Sequence, residues 1–242
     1  AAYWGIRAPF IAYAIIGVVV FLIVLFGLGL DKPVAERPDA KTFRTWDVFR
    51  EHLSILTKAG TGQFLAQTVR SGRAVIVPLY GADIIELGVD QIGFILSAAS
   101  FVDMSLFYPA GLIMDRFGRK FAIVPSFLVQ ALGLVVVPFT GGFISLAAAT
   151  CVIGIGNGLS SGSMMTLGAD LAPEEDVGDF LGVWRLIGDG GRMGSPVVVG
   201  GISDIVGLQP AALVIAFAGL CSSAIFALFV PETLDKTGDA SR

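Results

Sequence analysis

Cysteine and histidine are nearly missing from this chain, which holds two of the first and one of the second. Cys151 and Cys221 each lie inside an apolar run, where a free thiol behaves as a small buried hydrophobe. They read as neither a disulfide nor a metal site. His52, the single histidine, has no cysteine near it. It is read as a linker residue, and no structural metal is implied. Charge is scarce as well. Only 15% of the residues are charged, where soluble domains carry about a quarter. No Ser-His-Asp, Cys-His or paired-carboxylate arrangement is legible, so the chain is not read as an enzyme. No cofactor is expected either. Gly154-Ile-Gly156-Asn-Gly158 has the look of a nucleotide-binding fragment, but no soluble strand precedes it. The formal net charge of −4 says little because the charges are segregated, and no nucleic-acid partner is expected.

What the chain has in abundance is apolar sequence. Of its 242 residues 55% are hydrophobic, mean hydropathy is +0.80, and 31 are glycine, a residue commoner in membrane helices than in soluble ones. Pro9 to Leu30 runs for 22 residues without a charge, about 33 Å as a helix and enough to cross a bilayer. Tyr3 and Trp4 ahead of Arg7 form a belt-like entry. A signal peptide is disfavoured, since the run is too long and no small-residue cleavage site follows. Six further spans are expected at 59–82, 92–112, 121–140, 143–167, 180–203 and 208–230. Gly88-Val-Asp90, Thr140-Gly-Gly142, Ala172-Pro173-Glu174-Glu175-Asp176 and Asp204 mark breaks between them. The expected fold is an all-α integral membrane protein of seven transmembrane helices, a six-helix bundle with one extra leading helix. Residues 1–30 are the leading helix, 31–58 a cytoplasmic linker, 59–230 the bundle and 231–242 a cytoplasmic tail. Within the linker, Thr42 to Leu53 spaces Phe43, Trp46, Val48 or Phe49, and Leu53 as an amphipathic surface helix. An ordinary solvated connector fits it as well.

Lysine and arginine are lopsided. Eleven fall in the linker, the loop after the third span and the tail, against Arg7 alone on the other side. That places the linker, the loop and the C-terminus in the cytoplasm and the N-terminus outside. The acidic loop 172–179 is the exception, and acids weigh little in this rule.

Ionisable groups inside spans are where function is expected, because each costs roughly 2.5–3.5 kcal/mol at a helix centre. Gln63, Gln67 and Arg70 recur at helical spacing on the second span, with Arg73 one turn on. Asp103 lies near the middle of the third span, at the depth of Arg73 on an antiparallel neighbour. A salt bridge from Asp103 to Arg73 or Arg70 is expected. Arg185, Asp189 and Arg192 form a second charged stripe, on the sixth span. It suits a structural or gating ion pair, or contact with substrate or protons. Asp103 and Asp189 are the candidates for proton coupling, since a carboxylate in low dielectric can titrate near neutral pH. In-span charge sums to a surplus of two positives, which suits an anionic ligand and equally suits acids on a missing partner bundle. Gly154, Gly158 and Gly162 stand four apart, as a small-residue face for close helix packing. Asn157, Ser160, Ser161 and Ser163 beside them can bond a neighbour or a ligand. Gly188, Gly190, Gly191 and Gly194 followed by Pro196 make the sixth span easy to bend.

One turn carries more than its charge. In Gly111-Leu-Ile-Met-Asp115-Arg116-Phe-Gly118-Arg119-Lys120, four charged residues fall in the last six positions. They cannot sit in hydrocarbon, and the two glycines let the backbone fold back. Gly111, Asp115, Arg116, Gly118, Arg119 and Lys120 resemble, at every defined position, the loop motif of major facilitator superfamily transporters. Pro231-Glu232-Thr233-Leu234 resembles the family's P-E-T close. The resemblance implies the second of two six-helix bundles, preceded by the last helix of the first bundle and the central linker. It implies a loop that latches one conformation across the two bundles. It implies a secondary transporter of small molecules working by alternating access, proton-coupled and of the bacterial efflux type, in the inner (plasma) membrane. The expected partners are a small-molecule substrate, protons, the lipid bilayer, and the missing N-terminal bundle or other membrane subunits. The chain begins Ala-Ala rather than Met, which reads as a fragment or a processed product. The competing reading is a non-transporting membrane subunit within a larger complex.

Overall fold

A computed structural model describes residues 7–27, 50–173 and 176–234. The chain divides into two units, Ala1–Thr42 and Phe43–Arg242. The described part of the first is a single helix, α1 (Arg7–Gly27), apolar on every face and broadly exposed. Leu28 to Leu30 and the expected surface helix up to Phe49 lie outside the described residues.

The second unit is helical throughout its described residues. Its helices are α2 (Leu53–Asp83), α3 (Val89–Ser105), α4 (Phe107–Phe117), α5 (Arg119–Val136), α6 (Phe143–Leu159), α7 (Ser163–Leu171), α8 (Val177–Val206) and α9 (Leu208–Phe229). A 3-10 turn, Val137–Phe139, extends α5. Among the described residues, four stretches are long and apolar enough to cross a membrane: Val89–Phe117, Arg119–Phe139, Phe143–Leu171 and Leu208–Phe229. The other two long helices, α2 and α8, have 31 and 30 residues, but polar residues interrupt their apolar sequence. Those two are neighbours. α2 packs against α8 and α9, α5 lies between α9 and α6, and α3 lies on α6.

Small residues let these helices approach, as membrane packing requires when lipid offers no hydrophobic drive. A Cβ on Gly191 would collide with the Phe64 backbone, and one on Gly154 or Gly158 with the backbone of Ala99 or Asp103. Gly188 and Gly191 thus serve the contact of α8 with α2, whereas a Cβ on Gly194 would meet open space. Short hydroxyls tie the same seams. Ser195 Oγ donates to Thr68 O at 2.8 Å and Ser222 Oγ to Gly62 O at 3.0 Å. Pro196 cannot donate to Arg192 O one turn back. Ser71 Oγ donates to that carbonyl instead, at 2.9 Å, so a proline inside α8 leaves no bare acceptor there. Apolar residues fill two main clusters. One holds Ile76, Tyr80, Ile95, Leu134 and Ile215; the other holds Phe127, Met164, Trp184 and Phe226.

Several boundaries differ from the expectation. The third span breaks at Leu106, between α3 and α4. The fifth breaks at Ser160–Gly162, between α6 and α7. Gly162 has φ +78° and nothing near its absent Cβ. It turns the chain and does not belong to the packing face of Gly154 and Gly158. Asp204 is not a break: α8 runs through to Val206, and Gly207 with φ +96° makes the turn. Gly111 lies within α4, so the motif's sharp turn falls to Gly118 alone, at φ +117°. His52, expected as a linker residue, packs on the bundle: Arg50 and Glu51 beside it are helical, and the His52 ring meets Phe180 edge-on at 6.1 Å.

Candidate functional site

The polar residues of four helices converge on one crevice inside an otherwise apolar bundle. α2 contributes Gln67, Arg70 and Arg73; α3 contributes Asp103; α6 and the turn after it contribute Asn157 and Ser161; α8 contributes Arg185, Asp189 and Arg192. Helical periodicity explains the convergence, since Gln63, Gln67 and Arg70 stand on one face of α2 and the α8 charges on one face of α8. The crevice has three lobes of about 270, 330 and 390 Å³, and Arg70 borders each. This is the size range of a small-molecule site.

Asp103 is its best-partnered acid. Oδ2 accepts from Asn157 Nδ2 at 2.6 Å and lies 3.6 Å from Arg73 Nη2. Its other oxygen, Oδ1, is buried with no hydrogen-bond partner. Arg70 takes a different course from Arg73. Its Nη2 donates to Ser160 Oγ at 2.7 Å and to Ser160 O at 3.0 Å. That carbonyl lies at the break between α6 and α7 and also accepts from Ser163 N–H at 3.2 Å and Ser163 Oγ at 2.8 Å. The guanidinium also lies over the Phe127 ring, 5.6 Å from its centroid. On α8, Asp189 lies 3.9 Å from both Arg185 and Arg192, and Arg192 Nη2 donates to Gln67 Oε1 at 3.2 Å. The Arg185, Asp189 and Arg192 side chains stay 75%, 46% and 61% exposed, so this stripe faces out of the bundle.

The loop motif forms a separate cluster at one end of the bundle. Arg119 Nε donates to Asp170 Oδ2 at 2.8 Å, while the in-motif acid Asp115 lies 3.7 Å from Arg119 Nη1. Thr233 Oγ1 donates to the same Asp170 oxygen at 2.8 Å. Glu232 accepts the backbone N–H of Arg119 at 2.8 Å and of Lys120 at 3.0 Å. It thereby caps the start of α5 from the far end of the chain. A side chain on Gly118 would occupy the space that Glu232 fills. Burial works to raise the Glu232 carboxyl, but the backbone amides of Arg119, Leu234, Lys120 and Thr233 together hold it below its ordinary value of 4.5. Lys120 Nζ reaches Ala227 O at 2.7 Å. Arg116 stands over the Phe117 ring, 5.7 Å from its centroid, and a Cβ on Gly111 would meet open space.

Asp170 and Thr233 take part without having been singled out as site residues. Asp170 ends an apolar run just before an acidic loop, and an acid at that depth is the signal that marks a partner for Arg119. Gln63, expected on the same stripe as Gln67, lines the lobe shared with Arg185 and Asp189.

A family model, described as the Major Facilitator Superfamily, matches residues 59–241. No curated protein matches the chain. Among solved structures, the crystal structure of a POT family transporter in complex with a thioalcohol conjugated peptide is similar, with 17% identity and a TM-score of 0.65. The match covers 75% of this chain and 39% of that one, so the present chain spans well under half of the length of its structural neighbour. At this identity the likeness concerns the fold.

Proposed function

The chain belongs to the Major Facilitator Superfamily, and on that premise we propose that it forms one bundle of a proton-coupled secondary transporter of small molecules, of efflux type. It is an integral membrane protein. The observation that carries the proposal is the crevice itself. Four helices turn charged and amide side chains toward one another, where each would be costly in lipid. Discontinuous helices line it at Ser160–Gly162, which is how carriers of this general design expose backbone groups to a solute.

In alternating access the crevice lies between two bundles, and the exposed α8 stripe faces the second. The loop cluster is placed at the cytoplasmic end by the lysine and arginine bias. Arg119, Asp170 and Glu232 tie α5, α7 and the C-terminal segment together there. The ties hold while that end is closed and part when it opens. Asp103 is the proton acceptor in this reading. Protonating it removes the charge facing Arg73 and loosens α2 from α3. Protonating Asp189 likewise removes the charge facing Arg185 and Arg192, within α8.

Flux in proteoliposomes with and without a pH gradient tests the proposal, comparing the intact protein with Asp103→Asn and Asp189→Asn. Flux that the gradient drives in wild type and that one of the variants uncouples supports it. The same pH response in all three removes both acids from coupling. No flux, with stable co-purification of other subunits, turns the reading toward a membrane scaffold.

A further inference from the structure

We infer that the crevice binds a small organic anion, its oxyanion group gripped by Arg70 and Arg192. The inference rests on the transport reading above and narrows it to a substrate class.

The charges lining the three lobes are Arg70, Arg73, Arg185 and Arg192 against Asp103 and Asp189. Their pairing decides where the surplus sits. Arg73 is matched by Asp103 at 3.6 Å. Asp189 stands 3.9 Å from both Arg185 and Arg192, so it offsets one of them and leaves the other uncompensated. Arg70 has no carboxylate within ion-pair distance among the described residues. Its hydrogen bonds go to neutral Ser160, and its Nε is buried without a partner.

A buried guanidinium with no counter-charge is expensive, and its planar fork suits a carboxylate or phosphate above other groups. Arg70 and Arg192 border the same two lobes, of about 330 and 390 Å³. Gln67 lies between them, already bonded to Arg192. Arg70 is drawn inward, held by the carbonyl and hydroxyl of Ser160 and resting on fully buried Phe127. An acid fixed on a second bundle has to cross the crevice to reach it. A free anion of a few atoms enters a lobe and closes the fork.

The test uses the intact protein in detergent, with thermal stability as the readout. The probes are benzoate, succinate and phenyl phosphate, with benzamide and succinamide as neutral counterparts. At least one anion is expected to raise the melting temperature while both amides leave it unchanged. Arg70→Gln and Arg192→Gln each weaken the effective anion by about tenfold or more, the scale of one lost charge-assisted hydrogen bond. Arg70→Lys keeps the charge and loses the fork, so it retains part of the shift. Lys58→Gln, outside these lobes, retains all of it. Should Arg70→Gln fail to fold, the exposed Arg192 decides the matter alone. Amides acting as well as anions, no anion acting at all, or a full shift surviving in Arg192→Gln overturns the inference. Gradient-driven flux of neutral or cationic solutes alone keeps the transport reading and removes this one. Anion binding without flux does the reverse.

Discussion

Replacing Glu232 isolates the contact that joins the C-terminal segment to the loop motif. Its two oxygens hold the Arg119 and Lys120 amides at 2.8 and 3.0 Å, both among the donors left free at the start of a helix. In Glu232→Ala those donors lose their acceptor and the helix loses its negative charge at the N-terminus. A lost N-cap costs about 0.5–2 kcal/mol and the charge–dipole term adds about 0.3–1 kcal/mol. Because the site is partly open to water, a total of about 1–2 kcal/mol is expected. That multiplies the open population of the first turn of α5 by roughly 5–30. Hydrogen exchange reads it directly. The amides at 119 and 120 exchange about that much faster in Glu232→Ala, while amides in mid-α9 are unchanged. Glu232→Gln keeps a neutral acceptor and falls between. The sign with pH follows from the lowered carboxyl. A group depressed in the folded state contributes fully above its unfolded value and loses that contribution as pH falls through the folded one. Wild type therefore converges on Glu232→Gln in acid, below the ordinary value of 4.5. Exchange at 119 and 120 identical in wild type and Glu232→Ala at neutral pH refutes the capping argument.

Three further substitutions test the packing and its hydrogen bonds. Gly158→Val forces α6 from the Asp103 backbone and is expected to cost about 1–3 kcal/mol. Gly194→Ala, which meets open space, leaves thermal stability in detergent within about 0.5 kcal/mol of wild type. Ser71→Ala bares the Arg192 carbonyl one turn before Pro196 and is expected to destabilise by about 0.5–1.5 kcal/mol, measured by thermal unfolding.

Long apolar runs made the spans legible, because lipid demands about twenty such residues whatever their neighbours. The i, i+4, i+7 spacing made the stripes on α2 and α8 legible for the same geometric reason. Helix interruptions were not. Ser160 to Gly162 has the composition of a packing face, and whether a glycine packs or turns depends on a dihedral that spacing does not reveal. Leu106 carries no break signal at all. Pairing across the bundle was partly within reach. Asp103 opposite Arg73 follows from equal depth, whereas Arg119 with Asp170 requires knowing that α7 ends beside α5. Glu232 was visible only as part of a closing motif. Its role depends on residues 112 and 113 positions away in the chain.

The short helix α7 starts just after the Gly162 turn beside Arg70 and carries, one residue before its end, the Asp170 that Arg119 holds. It is a rod of nine residues, about 14 Å long, with the Gly162 turn at one end and the Asp170–Arg119 tie near the other. Tilting such a rod by about 20° sweeps its far tip through roughly 5 Å, well beyond the reach of a hydrogen bond. In the proposed carrier, a small displacement at the turn beside Arg70 would thus be delivered as a rupture of the Asp170–Arg119 tie.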